Sequence, residues 1–106
     1  MKILKSEQGK WHCLRVEERL DTVTAPEFET VGVESVEPNS YIAVDFSGLD
    51  YISSAGLRTL LVLGKKAQSQ KSELVLCGLS GMVDEVLEES GIKEFFTVYE
   101  TIEMLP

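Results

Sequence analysis

The segment Tyr41-Ile-Ala-Val-Asp-Phe46 is a nearly unbroken apolar run rich in β-branched and aromatic residues. A strand of that composition is expected where both faces are covered, as in the middle of a parallel or mixed sheet. The chain on either side of it changes to helical spacing. Upstream, Ala25, Phe28 and Val31/Gly32 recur at intervals of three and four; downstream, Leu57, Leu60, Leu61 and Gly64 do the same. A second buried run, Glu73-Leu-Val-Leu-Cys77, follows the second helix. Strand, helix, strand alternation demands parallel pairing through right-handed crossovers, which excludes all-helical and all-β architectures.

The remaining segments fit around that unit. Residues 2–7 and 11–17 read as two strands joined through Gln8-Gly9-Lys10, a glycine-containing hairpin turn, with Leu14, Val16 and Leu20 on one face. Thr24-Ala25-Pro26-Glu27 has the spacing of a capping box, and the helix it opens should end before Pro38-Asn39. The helix from Leu57 should run to about Gln70. Another begins at Ser80, turns Met82/Val83 and Val86/Leu87 inward, and stops at Gly91, a natural left-handed end residue. Phe95–Tyr99 reads as a last strand and Thr101–Leu105 as a final helical turn. The expected order is β-β-α-β-α-β-α-β-α. Residues 1–106 should form a single-domain α/β fold, a mixed β-sheet with an N-terminal antiparallel hairpin and parallel β-α-β units.

Charge and composition narrow the function. The 106 residues carry 10 basic and 18 acidic side chains, a net charge of −8. Such a surface repels phosphate backbones, so neither nucleic acid nor an anionic membrane is an expected partner. No apolar run approaches the roughly 20 residues that span a bilayer, and no basic, then apolar leader opens the chain, so a cytoplasmic protein without membrane insertion is expected. The cysteines, Cys13 and Cys77, are far apart in sequence, and the single histidine, His12, adjoins Cys13. Neighbours on a strand point to opposite faces, so His12 and Cys13 cannot hold one ion together. Two buried free thiols are expected, with no metal, no cofactor and no catalytic histidine arrangement.

The informative stretch runs from Val44 to Leu57, where a buried strand leaves its carboxyl end through small residues into a helix. Ser53 and Ser54 fall at the N-cap and first turn of that helix, where unpaired N–H groups and the positive helix end meet. Ala55 and Gly56 keep their surroundings low, so an incoming group can approach the hydroxyl. The same serines would also serve as ordinary helix caps, and spacing does not choose between the two. The glycines lack the spacing of either standard nucleotide-binding loop. Arg58, Lys65, Lys66 and Lys71 fit a solvated helix face; Arg58, one turn from Ser54, is also placed to meet an acidic patch on a partner.

Asp45-x-Ser47-x-Leu49-x-x-Ile52-x-Ser54-x-Gly56-Leu57 resembles the signature of the STAS domain family, which includes bacterial anti-sigma factor antagonists and cytoplasmic domains of sulphate transporters. Arg19-Leu20-Asp21-Thr-Val-Thr24-Ala25, Leu76–Ser80 and Leu87–Phe96 resemble further family segments, in order along nearly the whole chain. The resemblance implies that Ser54, two residues before Gly56, is a serine phosphorylated by a partner kinase, with Asp21 beside it. It implies a docking face made of Asp21, Thr24, Ser53, Ala55, Gly56, Leu57 and Arg58. The implied partners are an anti-sigma factor that is itself a serine/threonine kinase, and a serine phosphatase that resets the switch. The implied role is regulation of sigma-factor-dependent transcription without catalysis; the alternative is a non-phosphorylated STAS subunit of a membrane-lipid ABC transport complex. Ser53 stands where the family often has aspartate, Ala55 where it often has serine or threonine, and Glu18 where it frequently has glycine.

Overall fold

In a computed structural model describing residues 1–106, five strands form one sheet in the order β1-β2-β3-β4-β5. These are β1 (Lys2–Gln8), β2 (Trp11–Leu20), β3 (Tyr41–Ile52), β4 (Glu73–Cys77) and β5 (Thr97–Tyr99). The hairpin β1–β2 is antiparallel and the other three pairings are parallel. Between the parallel strands run α1 (Ala25–Val36), α2 (Ser54–Ser69) and α3 (Gly81–Glu89). Strands that follow one another in both sequence and space, with crossovers of one hand, place all three helices on one face. This is the mixed-sheet arrangement expected from the alternation of periodic segments.

Side chains alternate along β3 as its two covered faces require. Val44 and Phe46 enter the main core with Val16, Leu20, Phe28, Leu60, Leu63, Leu76 and Leu87 from the other strands and the helices. Ala43 faces the opposite side with Trp11, Cys13, Val75 and Cys77, where Tyr99, Ile102 and Leu105 cover it. The indole N–H of Trp11 donates to the carbonyl of Pro106 at 2.8 Å, tying the last residues across that face. Both cysteines are free and buried. Burial, reinforced by the negative charge of Asp45, pushes the Cys77 thiol up to about 12. His12 hydrogen-bonds Glu7 across the hairpin through Nδ1 at 3.0 Å.

Four local expectations are corrected. β3 does not end at Phe46 but continues to Ile52, because Ser47, Gly48 and Asp50 are absorbed by two register shifts against β2 rather than by a turn. The second shift adjoins Glu18, whose φ is +76°. The buried stripe of α2 is Gly56, Thr59, Leu60, Leu63 and Ala67, whereas Leu57, Leu61 and Gly64 are only half-buried. Residues 92–95, expected partly as strand, form a 3-10 turn, and β5 starts at Thr97. Met82, expected to face inward with Val83, is exposed on α3, whereas the expected final turn is present as a 3-10 turn, Ile102–Met104.

The end of α2 offers a test of backbone strain. The N–H of Ser72 donates to the Ala67 carbonyl at 2.8 Å and that of Lys71 to Gln68 at 3.1 Å, the paired bonds of a Schellman ending. Glycine suits the left-handed residue of that motif, yet Lys71 occupies it at φ +61°. Lys71→Gly should therefore stabilise the protein by about 1 kcal/mol, raising the thermal midpoint by roughly 4 °C or more. Calorimetry that finds no gain would show that Lys71 is not strained.

Candidate functional site

The turn between β3 and α2 is seated on the end of β2. Leu20 pairs with Ile52 in the last parallel register position, and the N–H of Ser53 donates to the Leu20 carbonyl at 2.9 Å. Ser53 remains extended, at φ −104° and ψ 176°, and the helix begins with Ser54. Gly56 is buried against the same strand end, where an added Cβ would stand 2.8 Å from Leu20 Cγ and 3.0 Å from its carbonyl oxygen. Gly56 thus lets the first helical turn lie directly on Leu20.

This seating separates the two serines. Ser53 is the N-cap, but its hydroxyl makes no capping bond; its Oγ is buried without a hydrogen-bond partner. Ser54, one residue on, is exposed. Only the Ser54 hydroxyl is presented to solvent by the fold, and it sits on the first turn, where the helix end favours negative charge.

The neighbouring loop, Asp21–Thr24, is held by its own side chains. Asp21 Oδ1 accepts the N–H of Val23 at 3.0 Å and that of Thr24 at 3.1 Å. Thr24 Oγ1 accepts the N–H of Asp21 at 2.9 Å and donates to the Arg19 carbonyl at 2.9 Å. Thr24 is the N-cap of α1, but the expected capping box does not form: its hydroxyl turns back to the strand and makes no bond into the helix. The tight aspartate turn wins because it satisfies donors only two and three residues away.

The backbone N–H of Thr24, then that of Val23 and the nearby Arg19, holds the Asp21 carboxyl below its usual range. A carboxyl depressed by folding stabilises the native state above its unfolded pKa of about 3.9, and that contribution is lost as pH falls through the folded value. Asp21→Asn should accordingly flatten the acid limb of stability below about pH 4, with a loss of stability at neutral pH. Urea midpoints measured from pH 2 to pH 7 would check this, and an unaltered acid limb would contradict it.

Between α1 and α2 lies a shallow cleft of about 420 Å³ lined by Thr22, Ala25, Pro26, Glu29, Thr30, Ala55, Arg58 and Thr59. Of the residues singled out in the sequence, Ala55 and Arg58 line this cleft, with Ser54 next to Ala55 on the same turn. Asp21 and Thr24 belong to the adjoining loop, Leu57 is half-buried, and Gly56 lies beneath the surface. Two features of this face escaped the sequence reading. Val23 is 85% exposed beside Asp21, an apolar side chain among loop residues that carry no periodic signal. Arg19 stacks its guanidinium 4.2 Å from the centre of the Tyr51 ring, a pairing visible only once β2 and β3 are in register.

A model of the STAS domain family matches residues 2–104. The chain belongs to the STAS domain family. BtrV of Bordetella bronchiseptica, described as an anti-sigma factor antagonist, is 47% identical over 57 residues, which cover 54% of this chain and 49% of that protein. That match therefore spans about half the length of the curated relative. An anti-sigma-B factor antagonist of Staphylococcus aureus is 28% identical over 98 residues, covering 92% of this chain and 91% of its own. A structure from Thermotoga maritima, described as an anti-sigma factor antagonist, superposes with a TM-score of 0.86 at 18% identity, over 94% of this chain and 87% of that one. The phosphorylated form of the Bacillus cell fate determinant SpoIIAA gives a TM-score of 0.70 at 14% identity, over 92% of this chain and 91% of that one. At such identities the structural likenesses establish the fold. Within this STAS domain, Glu18 has a φ of +76°, a left-handed backbone that glycine adopts without steric cost.

Proposed function

We propose that this STAS domain, with residues 1–106 acting as one unit in the cytoplasm, is an anti-sigma factor antagonist switched off by phosphorylation at Ser54. In the unmodified state it binds an anti-sigma factor that is a serine/threonine kinase, and so frees a sigma factor. The kinase transfers the γ-phosphoryl group of ATP to Ser54 Oγ. An Oγ–P bond forms, the P–O bond to ADP breaks, and the hydroxyl proton passes to a base of the kinase. A serine phosphatase hydrolyses the ester with water and restores the hydroxyl. The domain contributes the acceptor and the docking face, and no catalytic step of its own.

The observation that carries this reading is the division between the serines: Ser54 is exposed on the first turn of α2, whereas the Ser53 hydroxyl is buried. The names of the two relatives supply the class of partner. Asp21, Thr24, Ser53, Ala55, Leu57 and Arg58 would form or support the docking face, with Gly56 setting its height. The test combines affinity capture of an anti-sigma factor with incubation in ATP, intact-mass analysis and peptide mapping. One phosphate on Ser54, absent in Ser54→Ala and retained in Ser53→Ala, is the expected result. A phosphate mapped to Ser53 would overturn the assignment. Stable capture of transporter subunits with no phosphate would favour a permanent structural role.

A further inference from the structure

We infer that Arg58 is the internal counter-charge for a phosphate on Ser54, so that phosphorylation adds negative charge and withdraws a cation from the docking face together. The inference rests on the proposed modification of Ser54 and states how that site regulates. Ser54 opens α2 and Arg58 follows four residues later, which makes them neighbours on one helix face. Helical side chains lean toward the N-terminus, so the guanidinium of Arg58 can reach back over the turn that carries Ser54 and Ala55. Both Ser54 and Arg58 are exposed, and Arg58 lines the same cleft as Ala55.

The three arginines of the chain are not equivalent. Arg15 is engaged by Glu17 at 2.9 Å and by Ser47 at 2.8 Å. Arg19 is stacked on Tyr51 and lies 3.4 Å from Asp21. Arg58 alone forms no ion pair. α2 contains no acidic residue, and Glu29, the carboxylate that shares the cleft from α1, is beyond ion-pair range. The Asp21 carboxylate is occupied within its own loop and by Arg19. Arg58 is thus an uncommitted fork of donors one turn from the acceptor. Guanidinium and phosphate match in geometry, two N–H groups to two oxygens. Before modification that fork is free for a partner's acid; after modification it is held by the protein's own phosphate.

The test installs phosphoserine at position 54 during translation, with no kinase involved, and titrates it by phosphorus NMR. A phosphoserine loses its second proton near pH 6, and a nearby cation lowers that value. Arg58→Gln should raise it by about 0.5 of a pH unit relative to the parent, and Arg58→Lys by less. Arg19→Gln should leave it unchanged. The helix end, Asp21 and Glu29 are common to the parent and the Arg58 variants, so their influence cancels. A phosphate that titrates identically in the parent and Arg58→Gln, or that responds to Arg19→Gln instead, would overturn the pairing. Because the phosphate is encoded, a kinase that ignores Ser54 would count against the proposed function alone, and the titration would still judge Arg58.

Discussion

Phosphorylated at Ser54, the protein should bind its anti-sigma factor about a thousandfold more weakly than the unmodified chain. Apart from Arg58, the face around Ser54 is made of small neutral residues, Ser53, Ala55 and the turn seated on Leu20, with the exposed apolar Val23 nearby. Such a surface can close against a partner with little desolvation penalty. A phosphate brings about −1.5 to −2 charges, more than the single charge of Arg58 can offset, and the excess negative charge costs several kcal/mol when buried at an interface. About 4 kcal/mol is a thousandfold in affinity. Ser54→Asp carries one charge and fewer acceptor oxygens, so its affinity should fall between the two states. Ser54→Ala should bind like the unmodified protein and be indifferent to kinase and ATP. Its fold should be unaffected, since removing an exposed hydroxyl changes stability by about 0.5 kcal/mol at most. Calorimetric titration of the four proteins checks the series. Equal affinities for phosphorylated and unmodified protein would defeat the switch and leave a constitutive binding module.

How far the sequence revealed this arrangement differs from element to element, for physical reasons. Tyr41–Phe46 was legible as a central strand because burial on both faces leaves an apolar run that few other structures explain. The extension to Ile52 was not, because Ser47, Gly48 and Asp50 have turn chemistry, and only pairing with β2 turns them into bulges. The position of α2 was legible but its rotation was not. Apolar residues at 57, 60, 61 and 63 support two overlapping stripes. The choice between them is made by close approach to the rest of the core: Gly56 rests on Leu20, and Gly32 of α1 admits Leu63 where a Cβ would stand 2.6 Å from Leu63 Cδ1. The capping box at Thr24 failed because Asp21 takes the Thr24 N–H that Glu27 would have accepted, and the Thr24 hydroxyl is engaged by the Asp21 N–H and the Arg19 carbonyl. At the candidate site, the resemblance named Ser54, but the burial of the Ser53 hydroxyl depends on β2 and required the fold. Arg58 drew notice as a charge one turn from Ser54; its lack of an ion pair is a property of the surrounding surface.

Gly56→Ala should destabilise the domain by about 1–3 kcal/mol and slow phosphorylation of Ser54, although alanine is the better helix former. The added methyl would stand 2.8 Å from Leu20 Cγ, 2.9 Å from Ile52 Cγ1 and 3.0 Å from the Leu20 carbonyl oxygen. Non-bonded carbons prefer about 3.5–4.0 Å. Leu20 and Ile52 are both buried, so neither can swing aside without opening the core. Relief requires α2 to lift from β2, stretching the 2.9 Å bond from Ser53 to Leu20 and moving Ser54 with it. Overpacking of this kind costs about 1–3 kcal/mol after partial relaxation, while the gain in helix propensity returns up to about 1 kcal/mol. Gly64→Ala is the matched control, because there the methyl meets only the edge of the Phe96 ring, at 3.0 Å. That ring is half-buried and can rotate away, so Gly64→Ala should be neutral or stabilising and should leave phosphorylation unchanged. Urea unfolding and the rate of phosphate incorporation should separate the two variants. If Gly56→Ala matched Gly64→Ala in both measurements, the height of the turn would not be set by Leu20. If Gly56→Ala lost stability but kept the full rate, presentation of Ser54 would not depend on how tightly α2 is seated.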